Sequence, residues 1–565
     1  MRDSYQAELT RAANLRGGAL WYPYIGSGIG HGALVELADG SVKYDFISGI
    51  GVHYYGHSHH DMLDAGINAA LADTIQQGHL QQNTDSVDSM ESIVNLARKN
   101  GAAIDTCFLS TSGAMANENA LNFLFQKHQT ADRTLCFHKC FSGCILALAQ
   151  MTDKAAFRAG LPNSMAVDYV PFCDESRPEE STREAVVALK AHLMRFPRKY
   201  AAMCLELVQG EDGYYPGSTP FFEALIDVLK ANNVAVWIDE IQTFGRLSEA
   251  FVFQYFGLDK HVDMVTIGKM SQVCATLFGE GFKAKPGLLS QTFTSSGHAI
   301  RAAQKLVDRL YDGDLTSADG KNMQLHKVWA ERCTKIDGLR GSYGIGAMFA
   351  MTVLDGTMPQ AKDFCSRLFG NGVIGFVAGA NPTRVRFLPR DEAEPFIGPL
   401  ISSASADIAL AAQAELESQG AKVLVRLGRS ERSSALVSPG IIDVTSVENR
   451  SDEEVFAPLH QVIRVDTYED ALVEANATEY GLSAGLVSDS TELYQQFLET
   501  SSAGIINWNR QITGAVSSAP FGGSGKSGNF RPGASLAADY CAYPVASIEC
   551  PNLVLPATLS PGINF

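Results

Sequence analysis

Two residues close strongly apolar runs: Asp239 follows VAVWI, and Lys269 follows MVTIG. A carboxylate and an amine at strand ends stand where open α/β sheets place their ligand sites. Ser112-Gly113-Ala114 opens a helix-like stretch over residues 112–126. Backbone N–H groups at a helix start can hold a phosphate. Phe141 lies in a turn-like FSG and offers a ring face. Each feature alone has a plainer reading: a loop anchor, a solvated charge, an N-cap. Together they cover what pyridoxal phosphate (PLP) chemistry requires. Those requirements are an amine for a Schiff base, a carboxylate beside the pyridine nitrogen, a phosphate cradle and a stacking ring.

Such residues need rigid elements to position them. Residues 44–52 form a short, Gly-punctuated apolar run, 221–231 have helical spacing, and 234–238 and 264–267 read as compact strands. Strand–helix alternation of this kind predicts an α/β layered domain. The texture changes near residue 390. Residues 391–395 are polar and Pro-bearing, 404–420 read as a helix, and 521–528 are Gly-rich. A boundary is expected at 390–397. There are no internal repeats and no low-complexity tract.

The bulk properties narrow the class. The chain has 565 residues, 46% hydrophobic and 19% charged, with net charge −17 and pI about 5.2. That length allows roughly three to five domains. An acidic surface repels phosphate backbones, which argues against a nucleic-acid partner. The 11 cysteines are scattered without a repeating frame, as expected of reduced thiols. The first residues lack the apolar core of a signal peptide, and no run approaches the roughly 18 apolar residues of a membrane span. The expectation is a cytoplasmic enzyme with no membrane partner.

Residues 20–390 resemble a class III (ω-amino acid) aminotransferase. The resemblance rests on GALVELADGSVKYDFISGIGVHYYGHSH, TSGAMANENA, LELVQGEDGYYP, VWIDEIQTFGR, VTIGKMSQVC and RVRFLP, in order. The GKMSQVC form is most similar to the branch of lysine ε- and 4-aminobutyrate aminotransferases. The resemblance implies the PLP-dependent transferase fold type I: a large domain with a mixed, mostly parallel sheet flanked by helices, plus a small α/β domain. It implies that Lys269 forms the Schiff base and shuttles a proton, Asp239 pairs with the pyridinium, and Gln242 bonds the ring hydroxyl. Ser112, Gly113 and Ala114 would hold the phosphate, Phe141 would stack, and Thr294 would reach the phosphate of the other subunit of a homodimer. Arg386 would grip the carboxylate of glutamate or 2-oxoglutarate, and Glu211 would gate it when the ω-amino donor binds. The family's FHGR turn is FSGC here, so Cys144 replaces an arginine that often holds the donor's carboxylate. A thiol cannot make a bidentate pair with a carboxylate.

Residues 396–565 resemble the C-terminal part of an aldehyde dehydrogenase, most closely succinylglutamate semialdehyde dehydrogenase. The motifs are DEEVFAPL, GLSAGLVSDS, AGIINWNR, SSAPFGGSGKSGN and ADYCAYPVASIE. The resemblance implies that Glu454 touches the nicotinamide ribose, that Phe456 lies beside the nicotinamide, and that Asn507 and Trp508 lie on the substrate side. The dinucleotide-binding domain and the stretch with the nucleophilic cysteine have no counterpart. The only cysteines after residue 396 are Cys541 and Cys550, in the tail. NAD is therefore not expected to bind productively, and the module is expected to be inactive. An ω-aminotransferase acting on succinylornithine would make the aldehyde that the matching dehydrogenase oxidises, so the pairing suggests arginine or ornithine catabolism.

The expected domains are 1–55, an N-terminal segment of the small domain; 56–300, the PLP-binding large domain; 301–392, a truncated small domain; and 396–565, the partial dehydrogenase. The function expected is ping-pong transfer from an ornithine-, lysine- or 4-aminobutyrate-type donor to 2-oxoglutarate. The alternatives are aminomutase or decarboxylase chemistry on the same fold, or a poorly active PLP-binding fusion. GGSGKS at 522–527 is not a P-loop, because Pro520 stands where that pattern needs glycine. No metal is expected: Cys136, His138, Cys140 and Cys144 lack paired zinc spacing, and His53, His57, His59 and His60 suit packing or loop roles.

Overall fold

The computed structural model describes residues 3–72, 78–389 and 399–528, apart from 286, 288, 314, 334, 431–432, 511 and 513–518, together with 533–534, 537, 547 and 552. The chain divides into two compact units, Met1–Glu394 and Pro395–Phe565. The polar stretch 391–395, Cys541 and Cys550 lie outside the described residues.

The first unit is built on a seven-stranded sheet. Its order is Thr106–Ser110, Cys274–Phe278, Met264–Ile267, Ala235–Glu240, Tyr200–Leu205, Arg133–Phe137, Ala166–Val170. Only Cys274–Phe278 runs antiparallel to its neighbours, so the sheet is mixed and mostly parallel. Parallel strands covered by helices read as continuous apolar runs. Accordingly, every residue of Tyr200–Leu205, Ala235–Glu240 and Met264–Ile267 is buried. The helix Thr219–Ala231 covers the sheet with a stripe of Phe221, Phe222, Leu225, Ile226 and Leu229 and starts with Pro220 in its first turn, where the missing N–H costs nothing.

Two four-stranded sheets complete this unit. One joins the N-terminal strands Gly26–His31, Leu34–Leu37 and Val42–Asp45 to Val373–Ile374, with Val373 opposite Tyr44. The other contains Leu339–Ile345, Met348–Val353, Arg384–Phe387 and Phe376–Ala378. Arg246, with none of its surface exposed, fastens these parts together. Its Nη2 donates to Gly51 O at 2.8 Å and its Nη1 to Ala347 O at 3.4 Å.

The second unit opens with the helix Ser403–Ser418, one residue ahead of the expected start, capped by the Ser402 hydroxyl. A three-stranded sheet follows, made of Lys422–Val425, Gly440–Asp443 and Leu459–Val462. Ser483–Leu486 pairs in parallel with Ile505–Trp508.

Candidate active site

Adjacent parallel strands bring their C-terminal ends together. Ile238 lies opposite Leu205, and Asp239 opposite Thr266. Glu206, Asp239 and Lys269 therefore emerge side by side at one edge of the sheet. They line a cavity of about 400 Å³ together with Gly113, Ala114, Phe141, Glu211, Gln242 and Arg386. The crevice at strand C-termini is where such sheets bind ligands.

The phosphate end is set by the helix Gly113–Lys127. The Ser112 hydroxyl accepts from Met115 N at 3.2 Å, and Ser112 O accepts from Ala116 N at 2.9 Å. The first N–H groups of a helix have no partner within it, so those of Gly113 and Ala114 remain for an anion. Ser112 is exposed and does not line the cavity. Its part is to cap the helix. A Cβ at Gly113 would stand 2.7 Å from two side-chain carbons of Ile241, so a larger residue there would force Ile241 to shift.

Asp239 is anchored from two sides. Its Oδ2 accepts from Asn117 Nδ2 at 2.8 Å and its Oδ1 from Ile241 N at 3.1 Å. Burial pushes its carboxyl up to about 6, while the Ile241 N–H, the Asn117 amide and the Lys269 charge oppose that rise. Lys269 takes a left-handed backbone, φ 52°. Burial, joined by the Arg386 cation, pushes its ammonium down to about 7. A lysine so placed has substantial free amine near neutrality, the nucleophilic form.

At the other end, Glu211 is held by two cations. Its Oε2 lies 2.9 Å from Arg386 Nη2 and its Oε1 2.6 Å from Lys154 Nζ. Burial opposes ionisation of Glu211, but Arg386 and Lys154 outweigh it and hold the carboxyl below its usual range. Arg386 sits on Arg384–Phe387, opposite Ala350 and Phe376. The exposed Cys144 lines the same cavity.

Glu206 was not singled out from the sequence. Its Oε2 accepts from Phe141 N at 3.0 Å and its Oε1 from Gly210 N at 3.3 Å. Burial and then the Asp239 carboxylate push it up to about 8. Lys154 and Asn117 were also missed.

The cavity fits PLP. It offers an amine, a strand-end carboxylate and a helix-start cradle. Two buried oxygens within it, Gln242 Oε1 and Asn117 Oδ1, have no partner. Gly210 leaves room for the first of these: a Cβ there would meet Gln242 Oε1.

Residues 28–390, well over half of the chain, match the family described as aminotransferase class-III. The chain belongs to the class-III aminotransferase family. Members of this family use PLP to move amino groups between amino donors and 2-oxo acids. The aminotransferase unit is similar in fold to lysine aminotransferase from M. tuberculosis, with TM-score 0.60 and 20% identity over 72% of this chain and 98% of that one. It is likewise similar to an aminotransferase of Bacillus anthracis, with TM-score 0.61 and 16% identity over 70% and 96%. Residues 379–543 match the aldehyde dehydrogenase family. Over 171 residues the chain is 57% identical to N-succinylglutamate 5-semialdehyde dehydrogenase of Pseudomonas fluorescens (strain Pf0-1). That stretch is 30% of the aminotransferase chain and spans 35% of that curated relative.

Thr294, expected to serve the other subunit's phosphate, is buried. In the second unit Glu454 is exposed, Phe456 is 81% exposed, and Asn507 lies on Ile505–Trp508. Trp508 stacks on Tyr494 at 4.6 Å and donates from Nε1 to Ser488 O at 2.8 Å. Among the described residues, only His59, His60 and Asp61 bring three possible metal-ligand atoms within 4.8 Å. His59 Nδ1 is occupied there in accepting from Asp61 N at 3.2 Å, at the start of a helix. No described helix is long and apolar enough to cross a membrane.

Proposed function

We propose that this aminotransferase takes an ω-amino group from an ornithine-, lysine- or 4-aminobutyrate-type donor and passes it to 2-oxoglutarate in a ping-pong cycle, as a homodimer. The observation that carries this reading is the convergence of Lys269, Asp239 and the Glu211–Arg386 pair on one cavity. PLP, when bound, supplies an electron sink for the carbon that loses its proton.

The residues divide the work by position. Gly113 and Ala114 N–H would bind the phosphate, and Gln242 and Asn117 would face the polar edge of the ring. Asp239, already near neutrality in its carboxyl equilibrium, would ionise fully beside a cationic ring nitrogen. Phe141 would cover the ring face. Lys269 Nζ would hold the cofactor and then carry the proton at the substrate carbon, a role its depressed basicity suits. Arg386 would bind the carboxylate of 2-oxoglutarate once Glu211 leaves it. With an ω-amino donor in place, Glu211 would remain on Arg386 and neutralise it. Lys154 gives Glu211 a second cation to rest on.

Cys144 supports a second reading, a PLP-binding fusion of low turnover, because the cavity there presents a thiol in place of a carboxylate-gripping cation. One titration separates the two. Wild-type protein is expected to show the visible absorbance of lysine-bound PLP and to lose it on addition of a suitable amine. Lys269→Ala is expected to lack that band. A band that persists in Lys269→Ala sinks the PLP assignment, and a band that no amine converts selects the low-turnover reading.

We further propose that the dehydrogenase-like unit does not oxidise aldehydes and that NAD does not bind it productively. The absence of a cysteine between residues 396 and 540 supports this.

A further inference from the structure

A second cavity, of about 620 Å³, shares two walls with the first. The hairpin Val208–Gln209 and Tyr215–Pro216 gives Val208, Gly210 and Glu211 to the PLP cavity, and Gln209, Asp212 and Tyr214 to the second. The strand Arg384–Phe387 gives Arg386 to one and Arg384 to the other. None of the roles assigned above uses the second cavity.

Arg384 is only 4% exposed. Its guanidinium lies between two rings, 3.7 Å from the Tyr215 centroid and 3.5 Å from that of Tyr343. Nη1 donates to Gly213 O at 2.6 Å. Nε is buried without a partner. A buried arginine held flat between rings, with one donor satisfied and another unmet, is preorganised for a planar anion. Leaving such a donor unpaired is costly, and a carboxylate would relieve that cost.

The same cavity also carries anionic groups. Asp212 is 8% exposed and pairs with Lys139 Nζ at 3.2 Å, and Glu175 stands on the same lining. A dianion would meet Asp212 and Glu175, and a diamine would meet Arg384 and Lys139. A ligand with one charge of each sign satisfies both ends. We propose that this cavity is a binding site for a small zwitterionic amino acid, its carboxylate on Arg384 and its cationic nitrogen towards Asp212 and Glu175. The site is distinct from the PLP cavity.

The test uses the full-length, PLP-loaded protein carrying Arg386→Ala, which removes the carboxylate grip of the first cavity. The probe is γ-butyrobetaine, a zwitterion whose quaternary nitrogen cannot condense with an aldehyde. Calorimetric titration is expected to show one binding event, with glutarate binding at least about tenfold more weakly. Adding Arg384→Met is expected to weaken γ-butyrobetaine binding by about tenfold or more, the usual loss for a charge-assisted pair. Asp212→Asn is expected to weaken it as well, and it decides the matter if Arg384→Met does not fold. No binding by the Arg386→Ala protein overturns the proposal, as does binding indifferent to Arg384→Met and Asp212→Asn, or glutarate bound as tightly as the zwitterion. Loss of binding on changing Arg384 supports the second site whether or not the PLP reading of the first survives.

Discussion

Glu206 shows what burial does to a single carboxyl. Its oxygens accept two backbone N–H bonds, yet desolvation and the Asp239 carboxylate push it from a usual 4.5 up to about 8. The folded protein therefore holds a proton on Glu206 that the unfolded chain releases. A carboxyl whose folded value is raised contributes stability that is complete below about 4.5 and is lost as pH rises through about 8. Glu206→Gln keeps the shape and has no proton to lose. In cofactor-free protein, the wild type is expected to melt progressively lower between pH 5 and pH 8.5 relative to Glu206→Gln. The differential is on the order of a few kcal/mol. Parallel melting curves across that range would show that Glu206 is ionised in the folded state. Glu206 was also legible in principle. It follows the apolar run YAAMCL as Asp239 follows VAVWI, so the strand-end criterion that selected Asp239 and Lys269 applies to it equally. Lys154 was not legible, because its partner Glu211 is 57 residues away and no local pattern links them.

Elements decide which residue types tolerate change. At the start of the helix Gly113–Lys127, Ser112 and Gly113 are neighbours with separable tasks. Ser112 satisfies Met115 N, whereas Gly113 lines the cavity and leaves room for Ile241. Ser112→Ala is expected to lower stability by about 1 kcal/mol, the ordinary loss of a cap, with PLP retained through dialysis. Gly113→Ala is expected to cost PLP affinity, read by dialysis and visible absorbance, because its Cβ would stand 2.7 Å from Ile241 carbons. If Ser112→Ala released the cofactor and Gly113→Ala did not, the division of tasks would be wrong. The helix itself was readable from the sequence because Ser-Gly-Ala precedes a periodic stretch, and the strands because their apolar runs are unbroken. The expected helix over 112–126 is found at Gly113–Lys127, and the expected strand over 264–267 at Met264–Ile267. What the sequence hid was the pairing of distant pieces. Nothing local announces that Val373 lies beside Tyr44, or that Arg384, two residues before the recognised Arg386, faces a second cavity.

At the scale of the whole molecule, the two family matches overlap over residues 379–390. The aminotransferase match ends at 390, the dehydrogenase match begins at 379, and the compact units divide between Glu394 and Pro395. Every lining residue of the PLP cavity lies between Ile50 and Arg386, inside the first unit. That unit also contains its own seven-stranded sheet and a hydrophobic core running from Val35 to Leu388. A chain ending at residue 394 should therefore fold alone, keep the visible band of bound PLP, and convert it with the same amines as the full-length protein. A fragment that is insoluble or colourless would show that the second unit is needed to complete the first. The second unit, conversely, matches only 35% of the length of its dehydrogenase relative and brings no cysteine before Cys541. Covalent capture of an aldehyde needs a thiolate beside the carbonyl carbon. Full-length protein given NAD and a small aldehyde is accordingly expected to form no NADH. NADH formation that survived Cys541→Ser and Cys550→Ser would require a nucleophile other than those cysteines.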